Sequence, residues 1–92
     1  MTGPLELLQQ LVRIPSVNPD NPAGTDKTGE AAIATFLQGW IEAIDGDVTL
    51  EEIKPGRPNL IARFAPRDGR PRILLGPHLD TVGVGGMTID PF

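Results

Sequence analysis

The chain has 92 residues, with eight basic and twelve acidic side chains, a net charge of −4, a single histidine and no cysteine. At this length it is one small domain or a piece of a larger one, and such a chain buries only a little over about 60% of the surface it exposes unfolded. The absence of cysteine excludes a disulfide framework and a thiolate metal site, while the acidic balance, with no basic stripe and few aromatics, argues against nucleic acid and anionic membranes as partners.

Residues 1–4 lack the basic region and long apolar run of a secretory signal, and no apolar segment approaches the roughly 20 residues that span a bilayer. The expectation is a soluble, cytoplasmic protein. Ten prolines and eleven glycines are many for this length, but they fall between apolar segments, where they act as punctuation.

The first predicted helix covers residues 4–14, with Leu5, Leu8, Leu11 and Val12 on one face, Pro4 at the first helical position and Glu6 in the positive first turn. Pro15 stops it. Residues 15–24 contain three prolines and several turn formers, which predicts an irregular connection, either at the surface or lining a site. Over residues 28–44 the spacing of Ile33, Phe36, Leu37, Trp40, Ile41 and Ile44 predicts a second amphipathic helix, ended by Gly46. Trp40 lies within the stripe and is assigned to the core rather than to substrate stacking.

The period then changes from helix to strand. Val48 and Leu50 alternate with Thr49 and Glu51 in a strand reaching about Ile53, residues 54–58 form a turn, and residues 59–65 form a second strand. Leu60, Ala62 and Phe64 face one way in it, Ile61 and Arg63 the other. Arg57 and Arg63, each beside a turn, read as solvated rather than anion-binding. After another turn at residues 66–71, Ile73, Leu74 and Leu75 follow one another without alternation, which predicts a third strand buried on both faces.

His78 and Asp80 follow that run. Two residues apart in an extended segment, their side chains leave the same face of the backbone. A neutral imidazole binds a divalent metal through one ring nitrogen while a carboxylate takes the N–H of the other, fixing the tautomer. Spacing alone favours a surface histidine with Asp80 capping the next turn, and one histidine cannot supply the roughly three or four protein ligands of a zinc site. The glycines at 83, 85 and 86 match neither a dinucleotide fingerprint nor a P-loop, and are read as permitting a sharp turn beside a site at the strand end. Asp90, ahead of Pro91, is read as a turn former.

Four stretches in their order carry a family resemblance: Leu11-Val12-Arg13-Ile14-Pro15-Ser16-Val17-Asn18-Pro19, the helix through Trp40, Arg57-Pro58-Asn59-Leu60-Ile61-Ala62, and Leu74-Leu75-Gly76-Pro77-His78-Leu79-Asp80-Thr81-Val82. Together they resemble the start of the zinc-dependent metallohydrolases that include acetylornithine deacetylase, succinyl-diaminopimelate desuccinylase, aminoacylase and glutamate carboxypeptidase. The resemblance covers nearly the whole chain and overturns the surface-loop reading of His78. It implies that His78 is a ligand of one of two metals, zinc or alternatively cobalt, and that Asp80 is the catalytic-site carboxylate orienting it. Asp90-Pro91-Phe92 resembles the family segment ahead of the loop carrying a metal-bridging aspartate. Pro77 stands where the family often has a small residue, and Gly83 where it often has proline.

The fold implied is α/β, the amino-terminal part of a three-layer α/β/α domain with a mixed sheet, here two helices followed by three strands. Local reading would pair the second strand directly with the third; the resemblance instead implies a later strand between them. In the family the remaining ligands and the general base lie beyond the position of Phe92. Residues 1–92 are therefore expected to be an amino-terminal fragment of a metallohydrolase catalytic domain. Its parent would hydrolyse N-acyl amino acids or small peptides, and the fragment alone, as a monomer, would be inactive. The alternative is a non-catalytic α/β module that self-associates, as a homo-oligomer, or binds a partner.

Overall fold

In the computed structural model, which describes residues 3–66 and 68–92, four elements follow one another: α1 (Pro4–Val12), α2 (Ala31–Glu42), β1 (Asp47–Lys54) and β2 (Arg57–Arg63). Helix α1 opens with Pro4 in its first turn, where the missing N–H would have no intrahelical partner, and with Glu6 near the positive end of the helix dipole. It stops two residues short of the expected 14. Ile14 precedes Pro15, and the ring of a proline pushes the residue before it out of the α region. The apolar face of α1 is open rather than buried: Leu5, Leu8 and Val12 are exposed, and only Leu7 and Leu11 are half-buried.

Helix α2 carries the stripe that packs on the hairpin. Ile33 and Ala34 are buried, and Phe36, Leu37, Trp40, Ile41 and Ile44 are half-buried, so Trp40 belongs to this contact layer. The helix ends through a reversal in which the Gly46 N–H donates to the Ile41 carbonyl at 2.9 Å. The left-handed position in that reversal is taken by Asp45, at φ 68°, not by the glycine. Gly46 is required for a different reason. A Cβ there would run into the Ile41 side chain and lie 3.1 Å from Cε1 of Phe64.

Strands β1 and β2 form an antiparallel hairpin around Pro55 and Gly56, with Val48 opposite Ala62 and Leu50 opposite Leu60. The register slips between Glu52 and Lys54, leaving Ile53 unpaired in a bulge close to the turn. Leu60 and Ala62 are the more covered residues of β2, and Ile61 and Arg63 the more open ones, as alternation dictates. Phe64 lies beyond the strand end and is half exposed.

The third strand expected at residues 73–75 is not formed. Ile73, Leu74 and Leu75 are 81%, 93% and 82% exposed and have no ladder partner among the described residues. An apolar run becomes a strand only where another edge can take its N–H and C=O groups; with none beside it, its backbone is left to water. Direct pairing with β2 is therefore also absent. The observed fold is a small α/β arrangement of two helices and a two-stranded antiparallel sheet, without the third strand or a three-layer arrangement among the described residues.

The surface reflects this. The radius of gyration is 15.0 Å, against about 12 Å for a domain of this length. The accessible surface is 7002 Å², against about 5,200 Å² for a folded monomer of this mass. Among the described residues no helix is long and apolar enough to cross a membrane.

Two substitutions on the same helix check this account of Gly46. Gly46→Ala should lower the urea midpoint by about 1–3 kcal/mol of stability, because the added methyl overpacks the helix end. Gly39→Ala, inside α2 with open space at its Cβ, should raise it by about 0.5–1 kcal/mol.

Candidate functional site around His78 and Asp80

Residues 16–18 set the position of the site. The Val17 carbonyl accepts from the Gly29 N–H at 2.9 Å, and the Thr81 N–H donates to the Ser16 carbonyl at 3.0 Å. The Asn18 N–H donates to the Thr81 carbonyl, also at 3.0 Å. Val17 thus forms parallel bridges to Thr28 on one side and Thr81 on the other. The Ser16 hydroxyl adds a bond to the Leu79 carbonyl at 3.0 Å. Ser16 and Val17 are fully buried by these contacts, so the proline-rich connection is interior at its start and lines the site.

The glycine-rich stretch after Asp80 is held by the far end of the same connection. The Val84 and Gly85 N–H groups both donate to the Ala23 carbonyl, at 2.7 and 3.1 Å. Gly24, at φ 88°, lies so close that a Cβ would sit 2.7 Å from the Cα of Gly85. The glycines therefore serve a close approach of two backbones as well as the turn closed from Val84 to Met87.

Fixed in this way, the segment brings His78 and Asp80 together. Nδ1 of His78 lies 3.1 Å from Oδ1 of Asp80 and 2.9 Å from the Asp80 carbonyl oxygen. Both neighbours are acceptors, so Nδ1 carries a proton, and in the neutral ring Nε2 then keeps its lone pair. The His78 side chain is 85% exposed, whereas that of Asp80 is mostly covered. The Asn18 side-chain amide donates to Oδ2 of Asp80 at 2.9 Å. This bond, ahead of the attraction of His78, holds the Asp80 carboxyl below its ordinary value.

Arg57 sits elsewhere and has partners. Its guanidinium grips Glu30 through Nε and Nη2 at 3.1 and 2.9 Å, and reaches Asp20 through Nη1 at 3.2 Å. Glu30 is buried, and this pairing, first of all with Glu30, raises the Arg57 pKa above its usual value. Arg57 is therefore a clamp between the hairpin, the start of α2 and the connection, not a solvated turn residue. Arg63 is exposed on β2. Asp90 accepts a long bond, 3.4 Å, from the Phe92 N–H, which makes it a turn former.

These residues fit one imidazole ligand with the carboxylate that orients it, and no more. Among the described residues no group of three or more histidine, cysteine, aspartate or glutamate side chains could hold a metal ion.

The chain is similar to deacetylating hydrolases. The acetylornithine deacetylases of Vibrio campbellii and Vibrio vulnificus are each 30% identical to it over 89 residues, which are 95% of this chain and 22% of the relative. That of Aliivibrio salmonicida is 32% identical over 77 residues, 84% of this chain and 19% of the relative. The chain spans about a fifth of the length of the curated relatives it matches. No family model matches, nor does any solved structure.

The Asp80 environment predicts an acid dependence. Its carboxyl ionises more readily in the folded chain than at the ordinary value of 3.8. The resulting stabilisation is complete above that value and is lost as the pH falls through the lowered one. The difference in urea midpoint between wild type and Asp80→Asn should accordingly shrink as the pH falls below about 4. A difference that widened over that acid range would contradict the assignment.

Proposed function

We propose that the chain is the amino-terminal part of the catalytic domain of a metal-dependent amidohydrolase that cleaves the amide C–N bond of N-acyl amino acids or small peptides. The observation that carries this reading is the His78–Asp80 pair, with Nδ1 committed to Asp80 and Nε2 free on an exposed ring. The likeness to acetylornithine deacetylases supports an N-acyl amino acid as the substrate class. His78 would hold one metal, zinc with cobalt as a substitute, and Asp80 would fix the tautomer and direction of the ring. A metal there would polarise the amide carbonyl and lower the pKa of a bound water toward neutrality. The other ligands and the general base must come from outside this chain, so the isolated monomer is inactive. A cysteine-free chain handling small N-acyl amino acids suits the cytoplasm.

The exposed run at residues 73–75 and the roughly 1,800 Å² of surface beyond that of a typical folded monomer favour a second reading, a module that covers this surface by self-association.

The test begins with the intact mass of the endogenous product. The first reading expects a protein several times longer than 92 residues that releases free amino acid from N-acetylated amino acids when supplied with zinc. His78→Ala should abolish that activity and Asp80→Asn should reduce it about 10 to 100-fold. A product of 9.8 kDa that sediments as a stable dimer would replace it with the second.

A further inference from the structure

The carboxylate that faces His78 is itself held by an amide whose two ends are both committed. Oδ1 of Asn18 accepts the backbone N–H of Asp20 at 2.8 Å, so the donating end, Nδ2, is necessarily the one turned to Oδ2 of Asp80. The other carboxylate oxygen, Oδ1, is thereby left facing Nδ1 of His78 at 3.1 Å. Asp20 is tied in turn to Arg57, which is anchored on the buried Glu30. The direction of the imidazole is thus traceable, bond by bond, to the interior end of the hairpin turn.

We propose that Asn18 is the positioning residue of this site: by donating to one oxygen of Asp80 and being unable to rotate, it presents the other oxygen to His78 and so selects the tautomer in which Nε2 is free. Asn18 itself touches neither the imidazole nor any reacting atom. Without it the Asp80 carboxylate is free to turn toward solvent, and His78 retains only the Asp80 carbonyl oxygen at 2.9 Å as an acceptor. The functional meaning of the selected tautomer rests on the reading of His78 as a metal ligand; the selection itself does not. In a complete site its loss would appear as roughly 10 to 100-fold weaker metal binding, the effect of losing an orienting partner.

Asn18→Asp separates this role from loop structure. The introduced carboxylate can still accept the Asp20 N–H and keep the turn, but it opposes Asp80 instead of donating to it. The swap Asn18→Asp with Asp80→Asn restores one donor and one acceptor, leaving an amide oxygen at position 80 for His78. The readout is the pair of ring nitrogen shifts of His78 in long-range proton–nitrogen spectra of the 92-residue chain, at a pH where the ring is neutral and with neither metal nor substrate present.

Wild type should show a single tautomer protonated at Nδ1, Asn18→Asp a mixture, and the swap a single tautomer again, with the amide shifts of β1 and β2 unchanged throughout. A single Nδ1–H tautomer persisting in Asn18→Asp would overturn the proposal, since the Asp80 carbonyl alone would then suffice. So would a mixture in wild type. If Asn18→Asp does not fold, the swap decides: recovery of fold and tautomer supports the role, and recovery of neither overturns it. Because no metal enters the measurement, a failed hydrolase assay leaves this result standing, and a failed tautomer result leaves the assay standing.

Discussion

Val17 has a strand-like neighbour on each side, Thr28 and Thr81, and the site exists because it does. One backbone face of residues 16–18 is bonded to Gly29 and the other to Thr81, so the segment ties the approach to α2 to a stretch more than 60 residues further along the chain. Closing a loop of that length costs on the order of 4 kcal/mol. The two main-chain bonds to Thr81 and the Ser16 hydroxyl bond return about 3 kcal/mol at roughly 1 kcal/mol each. Burial of the Val17 side chain contributes a further 1.5–3 kcal/mol or so. The margin is narrow, and it places the stability of the fold and the placement of His78 in the same few contacts.

The ionic clamp works on the same joint from the other side. Arg57 leaves the hairpin turn and meets Glu30, a carboxylate buried at the start of α2, with the two-pronged geometry that a guanidinium allows and an ammonium does not. A buried carboxylate without that partner would be costly, so the hairpin cannot swing away from α2 without exposing the charge. Asp20, on the third prong, extends the hold into the connection. The hairpin therefore acts as a brace for the loop that orients the site, although none of its own side chains reaches His78.

Much of this was visible in the sequence wherever the signal was local. The stripe from Ile33 to Ile44 announces α2 because helical periodicity needs only neighbours three and four apart. The hairpin follows from alternation on either side of Pro55 and Gly56. Position i to i+2 brings His78 beside Asp80 without knowledge of the fold. What could not be read were partners distant in the chain: Glu30 lies 27 residues from Arg57, and Asn18 lies 62 from Asp80. In the sequence Asn18 stands in a loop too rich in turn formers for regular structure and in one of the stretches that carry the resemblance, and neither reveals its bond to Asp80. The strand expected at residues 73–75 does not form, for the converse reason. Its composition is that of an interior strand, but composition states what a segment would bury and not whether anything is there to bury it.

That run and the site are one continuous stretch, and the contrast within it is instructive. From Leu79 onward the backbone is bonded to residues 16–18, whereas Ile73, Leu74 and Leu75 are given over to solvent. An extended apolar run next to a fixed segment, with its backbone groups unpaired among the described residues, can pair with a strand brought alongside it. Whether the neighbour belongs to more of the same polypeptide or to a second copy, its docking would constrain residues 73–75 directly, and through Gly76 and Pro77 would limit the freedom of His78. The imidazole is already held from the far side by Asp80 and Asn18. Pairing of the exposed run would therefore hold the ring from both directions, by the backbone on one side and by the Asp80 carboxylate on the other.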